Sequence, residues 1–215
     1  MLRFWFFFCT FLFVICNSGC AEKAQSKNLT IALQPFDGFP QNLLDTISAT
    51  LELQFAANVI QLPTMELPKS AFVNIKSPRY RGDSLIKQLR THKNADYDLV
   101  LGLTTKDISI TKKDLHNNVL EPRSKYEDWG VFGVATFNAP YAVVSTYRLN
   151  AKHALFIDRV VKICIHEIGH TLALPHCENS SCLMQDAAET IQTIDQVTGV
   201  FCESCLNKVF DFSNR

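Results

Sequence analysis

The order of apolar and polar positions divides the chain into short extended runs and longer helical periods. Leu29 to Gln34 is a compact apolar run and predicts a strand. From Gln41 to Ala57 the apolar residues Leu43, Leu44, Ile47, Leu51 and Phe55 recur every three or four positions, the period of a helix with one buried face. Asn58 to Leu62 predicts a second strand, closed by Pro63, and the stretch on to Pro78 reads as irregular. Asp83 is placed to cap a helix from Ser84 to about His92. Tyr97 to Leu103 is apolar enough for a strand buried on both faces, whereas Lys106 to Tyr126 is polar and reads as loop. Trp129 to Phe137 and Ala142 to Leu149 predict two strands joined by a turn at Asn138-Ala139-Pro140. A long helix follows from about Ala151 to Leu172, with an apolar stripe of Ile157, Val160, Val161, Cys164, Ile168 and Leu172. Glu189 to about Val200 predicts a last helix with Ile191, Ile194 and Val197 inward. Strands alternating with helices, then a hairpin, give an α/β (α+β) fold class, a mixed twisted sheet with helices packed on it.

The N-terminus does not fit this pattern. After Arg3 come thirteen apolar or nearly apolar residues, Phe4 to Cys16, too few for a membrane span and suited to the apolar core of an export signal. Asn17-Ser18-Gly19-Cys20 resembles a bacterial lipoprotein cleavage site, with Cys20 as the lipidated residue. This predicts a signal peptide over 1–19, a polar tether over 20–28 and one domain over 29–215. The expected location is exported: anchored to a membrane by lipid, periplasmic or secreted. A plain secretory signal and an uncleaved anchor are the other readings. Removal of 1–19 takes away only Arg3, leaving 20 basic against 21 acidic residues, and no excess of positive charge points to nucleic acid. The expected partner is a peptide or protein substrate, and the chain is taken as a monomer.

The chemistry is concentrated in one segment, His166-Glu167-Ile168-Gly169-His170-Thr171-Leu172-Ala173-Leu174-Pro175-His176-Cys177. His166 and His170 are one helical turn apart on the same face and can close on one zinc, with Glu167 beside them as a base. His176, six residues on, supplies a third nitrogen if the helix ends and the chain turns back. Three protein ligands leave an open position, the arrangement of a catalytic zinc. A solvated H-E-x-x-H on an ordinary helix is the bland alternative, weakened by the third histidine. Downstream, Cys177, Cys182 and the pair Cys202 and Cys205 in C-x-x-C spacing could form a closed four-thiolate zinc site. Two disulfides are the competing reading in an oxidising compartment. Cys164, on the helix, reads as a small buried hydrophobe.

The pattern H-E-x-x-H, the third histidine followed by cysteine, four residues, C-x-M, seventeen residues and C-x-x-C closely resembles that of the archaemetzincins. The resemblance implies a metzincin-like zinc peptidase, an endopeptidase or aminopeptidase, with two zinc ions per chain. It implies His166, His170 and His176 as ligands of the catalytic zinc, and Glu167 as the general base. Cys177, Cys182, Cys202 and Cys205 then hold a structural zinc that clamps a C-terminal subdomain. Met184 becomes the methionine beneath the catalytic zinc, the Met-turn. Metzincins also line the cleft with an edge strand that pairs with substrate, and Trp129, Gly130, Val131, Phe132 and Gly133 are the candidates here; a routine core strand is the alternative. One position departs from the family pattern. Ala173 stands where glycine is usual at the helix end, and if φ is positive there it costs roughly 1 kcal/mol.

Two rival functions remain open at the level of sequence. One is an exported zinc-binding or peptide-binding module without turnover. The other is a disulfide-stapled adhesion domain in which the histidines are incidental.

Overall fold

The computed structural model describes residues 29–91, 96–186 and 190–213. The proposed signal, the Cys20 lipidation site and the tether lie outside the described residues, as do His92 and Glu189. In chain order the elements are β1 (Thr30–Pro35), α1 (Gln41–Phe55), β2 (Asn58–Gln61), β3 (Phe72–Asn74), β4 (Pro78–Arg81), α2 (Gly82–Thr91), β5 (Leu99–Thr104), β6 (Ile108–Ile110) and α3 (Arg123–Tyr126). They continue with β7 (Trp129–Val131), β8 (Gly133–Ala135), β9 (Tyr141–Ser145), α4 (His153–Thr171), α5 (Ile191–Gln196) and α6 (Glu203–Ser213).

The main sheet has the order β2-β1-β5-β9-β8, parallel from β2 to β9, with β8 antiparallel at the edge. The central strands are buried on both faces, which is why they read as continuous apolar runs. Alternate residues serve two cores. Ile31, Leu33, Leu99, Leu101, Leu103, Ala142 and Val144 pack with α1 and α4, whereas Ala32, Val100 and Val143 pack with α2. The predicted stripe of α4 faces the first core: Val160, Cys164, Ile168 and Leu172 are buried, and Ile157 and Val161 pack against them half-buried. The mixed α/β class is as the sequence implies.

Three local expectations are corrected. The stretch before Pro78 and the polar segment 106–126 are not simple loops. They supply β3 and β6, which with β4 and β7 form a second sheet of order β3-β4-β6-β7. These strands are three or four residues long, too short for a period to mark them. Buried ion pairs stabilise that sheet instead: Arg79 lies 3.3 Å from Asp107 and 3.5 Å from Asp128, which also faces Arg81 at 3.8 Å. Second, Trp129 to Phe137 is not one strand. Trp129–Val131 pairs with β6, and from Gly133 the chain pairs with β9 in the main sheet. The change of sheet falls at Phe132, between Gly130 and Gly133. Third, the helix expected over 189–200 is only Ile191–Gln196, capped by Thr190, and a further helix, α6, begins inside the C-x-x-C segment.

Among the described residues no helix is long and apolar enough to cross a membrane.

Candidate metal centre

The end of α4 sets the geometry of the site. The N–H of Ala173 donates to the carbonyl of His170 at 3.1 Å, and that of Leu174 to Gly169 at 2.9 Å. Ala173 has φ of 64°. This is the paired bonding of a Schellman turn, with the left-handed residue just past the helix. The expectation for Ala173 is met: an alanine occupies a backbone region that favours glycine. The turn carries the Leu174 carbonyl back to His170 Nδ1 at 2.8 Å and sends the chain on to His176. The β8–β9 turn also docks here, through Asn138 N–H to the His170 carbonyl at 3.0 Å. Asn138 itself has φ of 51°, which asparagine tolerates well.

The three imidazoles are brought together. Ring centroids of His166 and His170 are 4.6 Å apart, those of His170 and His176 4.8 Å, and those of His166 and His176 5.5 Å. One nitrogen from each lies within 4.8 Å of the others. His166 Nδ1 is 2.8 Å from the Leu183 carbonyl, matching the contact of His170 with Leu174. A carbonyl can only accept, so both Nδ1 atoms carry the proton and both Nε2 lone pairs are left to face a cation. His176 differs, with Nδ1 3.6 Å from the Asp186 carboxylate. Burial pushes the His166 pKa down to about 4 and lowers that of His170, so both rings are neutral near pH 7, as metal ligands must be. This donor set, three imidazoles of which His166 and His170 have fixed tautomers, fits a zinc ion.

Glu167 is buried beside them and lines the same cavity, of about 200 Å³. Desolvation raises its pKa to about 8 in the absence of a cation, and a nearby divalent charge draws it back down. Its carboxylate fits against β8 because Gly133 has no side chain: a Cβ there would stand 2.5 Å from Glu167 Oε1. Trp129, Val131, Phe132 and Gly133 line this cavity, at the outer edges of the two sheets. Gly130 does not line it. Met184 is fully buried beneath the helix, where a Cβ on Gly169 would lie 2.5 Å from its sulfur.

The four cysteines also converge. Cys177, Cys182, Cys202 and Cys205 place their sulfurs within 4.8 Å of one another, and none is in a disulfide. Cys177 and Cys202 Sγ are 3.8 Å apart, far beyond a disulfide bond of about 2.05 Å. A tetrahedron with zinc–sulfur bonds of about 2.3 Å has edges of about 3.8 Å, so the spacing fits four thiolates around one zinc. The backbone N–H of Cys205 beside the Cys202 thiol lowers its pKa to about 7, favouring a thiolate, while burial raises those of Cys182 and Cys205. Cys164 is fully buried and its thiol is held protonated by desolvation. His116 and His153 lie outside both clusters.

Sequence reasoning missed Asp186, the two carbonyls that hold His166 and His170, and the roles of Gly133 and Gly169. Asp186 sits two residues past Met184, and no spacing rule marks it.

The sequence model of Peptidase family M54 matches residues 30–210. The archaemetzincin of Haloquadratum walsbyi is 30% identical over 187 residues, 82% of this chain and 97% of that protein. Among solved structures, the archaemetzincin of Methanopyrus kandleri superposes with a TM-score of 0.73 at 27% identity, covering 89% of this chain and 98% of that one. The archaemetzincin of Archaeoglobus fulgidus gives 0.67 at 26% identity, covering 84% and 99%.

Proposed function

The chain belongs to peptidase family M54, the archaemetzincin family of zinc metallopeptidases, and from that premise we propose that it cleaves peptide bonds in the cleft between α4 and the β7–β8 segment. The observation that carries this reading is the convergence of His166, His170 and His176 on one point, with Glu167 on the wall of the same cavity. His166, His170 and His176 would hold the catalytic ion, and Cys177, Cys182, Cys202 and Cys205 a second, structural one. Zinc bound at the three histidines supplies Lewis acidity toward the scissile carbonyl and makes a water molecule acidic enough to react near neutral pH.

The rest is done by the chain's own groups. Glu167 accepts a proton from the attacking water at its carboxylate and returns it to the nitrogen of the departing amine. Gly133 leaves the space in which that carboxylate stands. The carbonyls of Leu174 and Leu183 fix the tautomers of His170 and His166, and the Asp186 carboxylate stands 3.6 Å from His176 Nδ1. The free edge of β8 offers backbone groups to an extended peptide laid along it. A module that only displays zinc would have no use for a buried carboxylate on the cleft wall.

The test is Glu167→Gln on zinc-loaded protein with a mixed peptide library. Hydrolysis falls by at least about a thousandfold while zinc content is unchanged; cleavage at the wild-type rate in that variant would remove Glu167 from the reaction. Mass-spectrometric mapping of the wild-type products assigns endopeptidase or aminopeptidase character. We also propose export with lipid on Cys20, which labelled palmitate would report: it enters the wild-type chain and not Cys20→Ala, and equal labelling would refute it.

A further inference from the structure

A second cavity, of about 470 Å³, lies against the cleft and has a different chemistry. Four cations line it, Lys76, Arg79, Lys125 and Arg148, against the single carboxylate of Asp128. The two guanidinium groups are fixed from behind. Asp107 takes Arg148 at 2.6 and 2.8 Å and lies 3.3 Å from Arg79, which also donates to the Asp128 carbonyl. The two lysines are not neutralised. Lys76 Nζ donates to the Lys125 carbonyl at 2.7 Å, and Lys125 Nζ lies over the rings of Tyr126 and Trp129 at 4.9 and 5.3 Å. Neither is in an ion pair among the described residues.

The wall is shared with the cleft. Trp129 and Phe132 line both cavities, while Gly130 faces only the basic one, its missing side chain filled by the Arg148 guanidinium. The indole N–H of Trp129 is buried at this wall and has no hydrogen-bond partner. Gly133, where the Glu167 carboxylate stands, is three residues from Gly130, at most about 10 Å along a chain that bends at Phe132.

We propose that the basic cavity is a substrate subsite for a carboxylate about three positions from the cleaved bond. The proposal rests on the peptidase reading for its substrate, and on the cations for its selectivity. A carboxylate there meets two unpaired ammonium groups and two guanidinium groups already held in place, so binding it orders few further side chains. The carboxylate can come from an Asp or Glu side chain or from the free C-terminus of a short peptide, since both present the same group.

Equilibrium binding of fluorescent peptides to the zinc-loaded protein, read by anisotropy, tests this without requiring turnover. One peptide is neutral and blocked at both ends; others carry Glu two to four positions to either side of the central bond; another has a free C-terminal carboxylate. At least one acidic peptide binds about fivefold more tightly than the neutral one, as one or two exposed ion pairs would give, and the advantage shrinks with salt. In the double variant Lys76→Glu, Lys125→Glu the advantage disappears while neutral-peptide affinity and melting temperature are unchanged. Equal binding of all peptides by the wild type, or a preference that survives the double reversal, would overturn the proposal. Cleavage is scored separately: a carboxylate preference without hydrolysis of any peptide would sink the peptidase reading and leave the anion subsite standing.

Discussion

Replacing Ala173 with glycine isolates the strain at the end of α4. With φ of 64°, the residue sits where an L side chain costs roughly 1–2 kcal/mol through contact of Cβ with the following carbonyl. Glycine removes that cost. Two terms oppose the gain: glycine restores freedom to the unfolded chain, about 0.4–1 kcal/mol, and loses part of the burial of one half-exposed methyl, of which the whole is worth about 0.8 kcal/mol. The balance is a stabilisation of about 0.5 kcal/mol, or a rise in melting temperature of about 1–2 °C for a domain of this size. A second variant sharpens the sign. Ala173→Val places a β-branched residue at positive φ and should destabilise by more than about 1 kcal/mol. It should also weaken zinc binding, because the turn that brings the Leu174 carbonyl to His170 is lost. Both are measured by urea unfolding at one fixed free-zinc concentration, since bound metal adds to apparent stability. Glycine less stable than alanine by more than 0.5 kcal/mol, together with a harmless valine, would refute the left-handed turn as the source of strain.

Two further outcomes are expected. In zinc-free protein, His166 and Glu167 pull stability in opposite directions. His166, folded near 4 against an ordinary 6.5, loses stability as pH falls from 6.5 to 4; Glu167, folded near 8 against 4.5, loses it as pH rises from 4.5 to 8. From these two groups the result is a plateau between about pH 4.5 and 6.5, then a fall of about 2 kcal/mol by pH 8, which Glu167→Gln abolishes and which unfolding curves across pH would read. Cys205→Ser should lower zinc from two per chain to one by elemental analysis, and loosen the remaining ion by about 10- to 100-fold against a chelator; disulfides would instead appear as an unchanged zinc count and missing free thiols.

What the sequence discloses is what is local in it. His166, His170 and the stripe of α4 are separated by a few residues, so helical spacing alone places them together, whereas His176 and the four cysteines are marked by residue type and interval. The central strands are legible because burial on both faces leaves an unbroken apolar record. The second sheet is not, because β4 is Pro-Arg-Tyr-Arg and draws its stability from Asp107 and Asp128, residues far along the chain. The break at Phe132 is hidden for a related reason: which sheet accepts each half of Trp129–Ala135 depends on partners in β6 and β9. Backbone carbonyls carry no sequence signal, so the groups that fix His166 and His170 emerge only from the fold. Ala173 is the instructive intermediate case. The spacing from helix end to third histidine demands a turn, the turn demands positive φ, and the residue type supplies only the cost.

The two metal clusters are mechanically one object. Cys177 follows His176 directly, and its N–H bonds to the Met184 carbonyl at 2.8 Å, closing the loop between them. Cys182 precedes Leu183, whose carbonyl holds His166, and Leu183 N–H is itself tied to Val200 beside the Cys202–Cys205 segment. Gathering the four sulfurs therefore fixes the third histidine, the tautomer of the first and the sulfur of Met184 against Gly169 in a single step. A zinc ion on the four sulfurs, as proposed above, would deliver its stabilisation to the loop that carries His176.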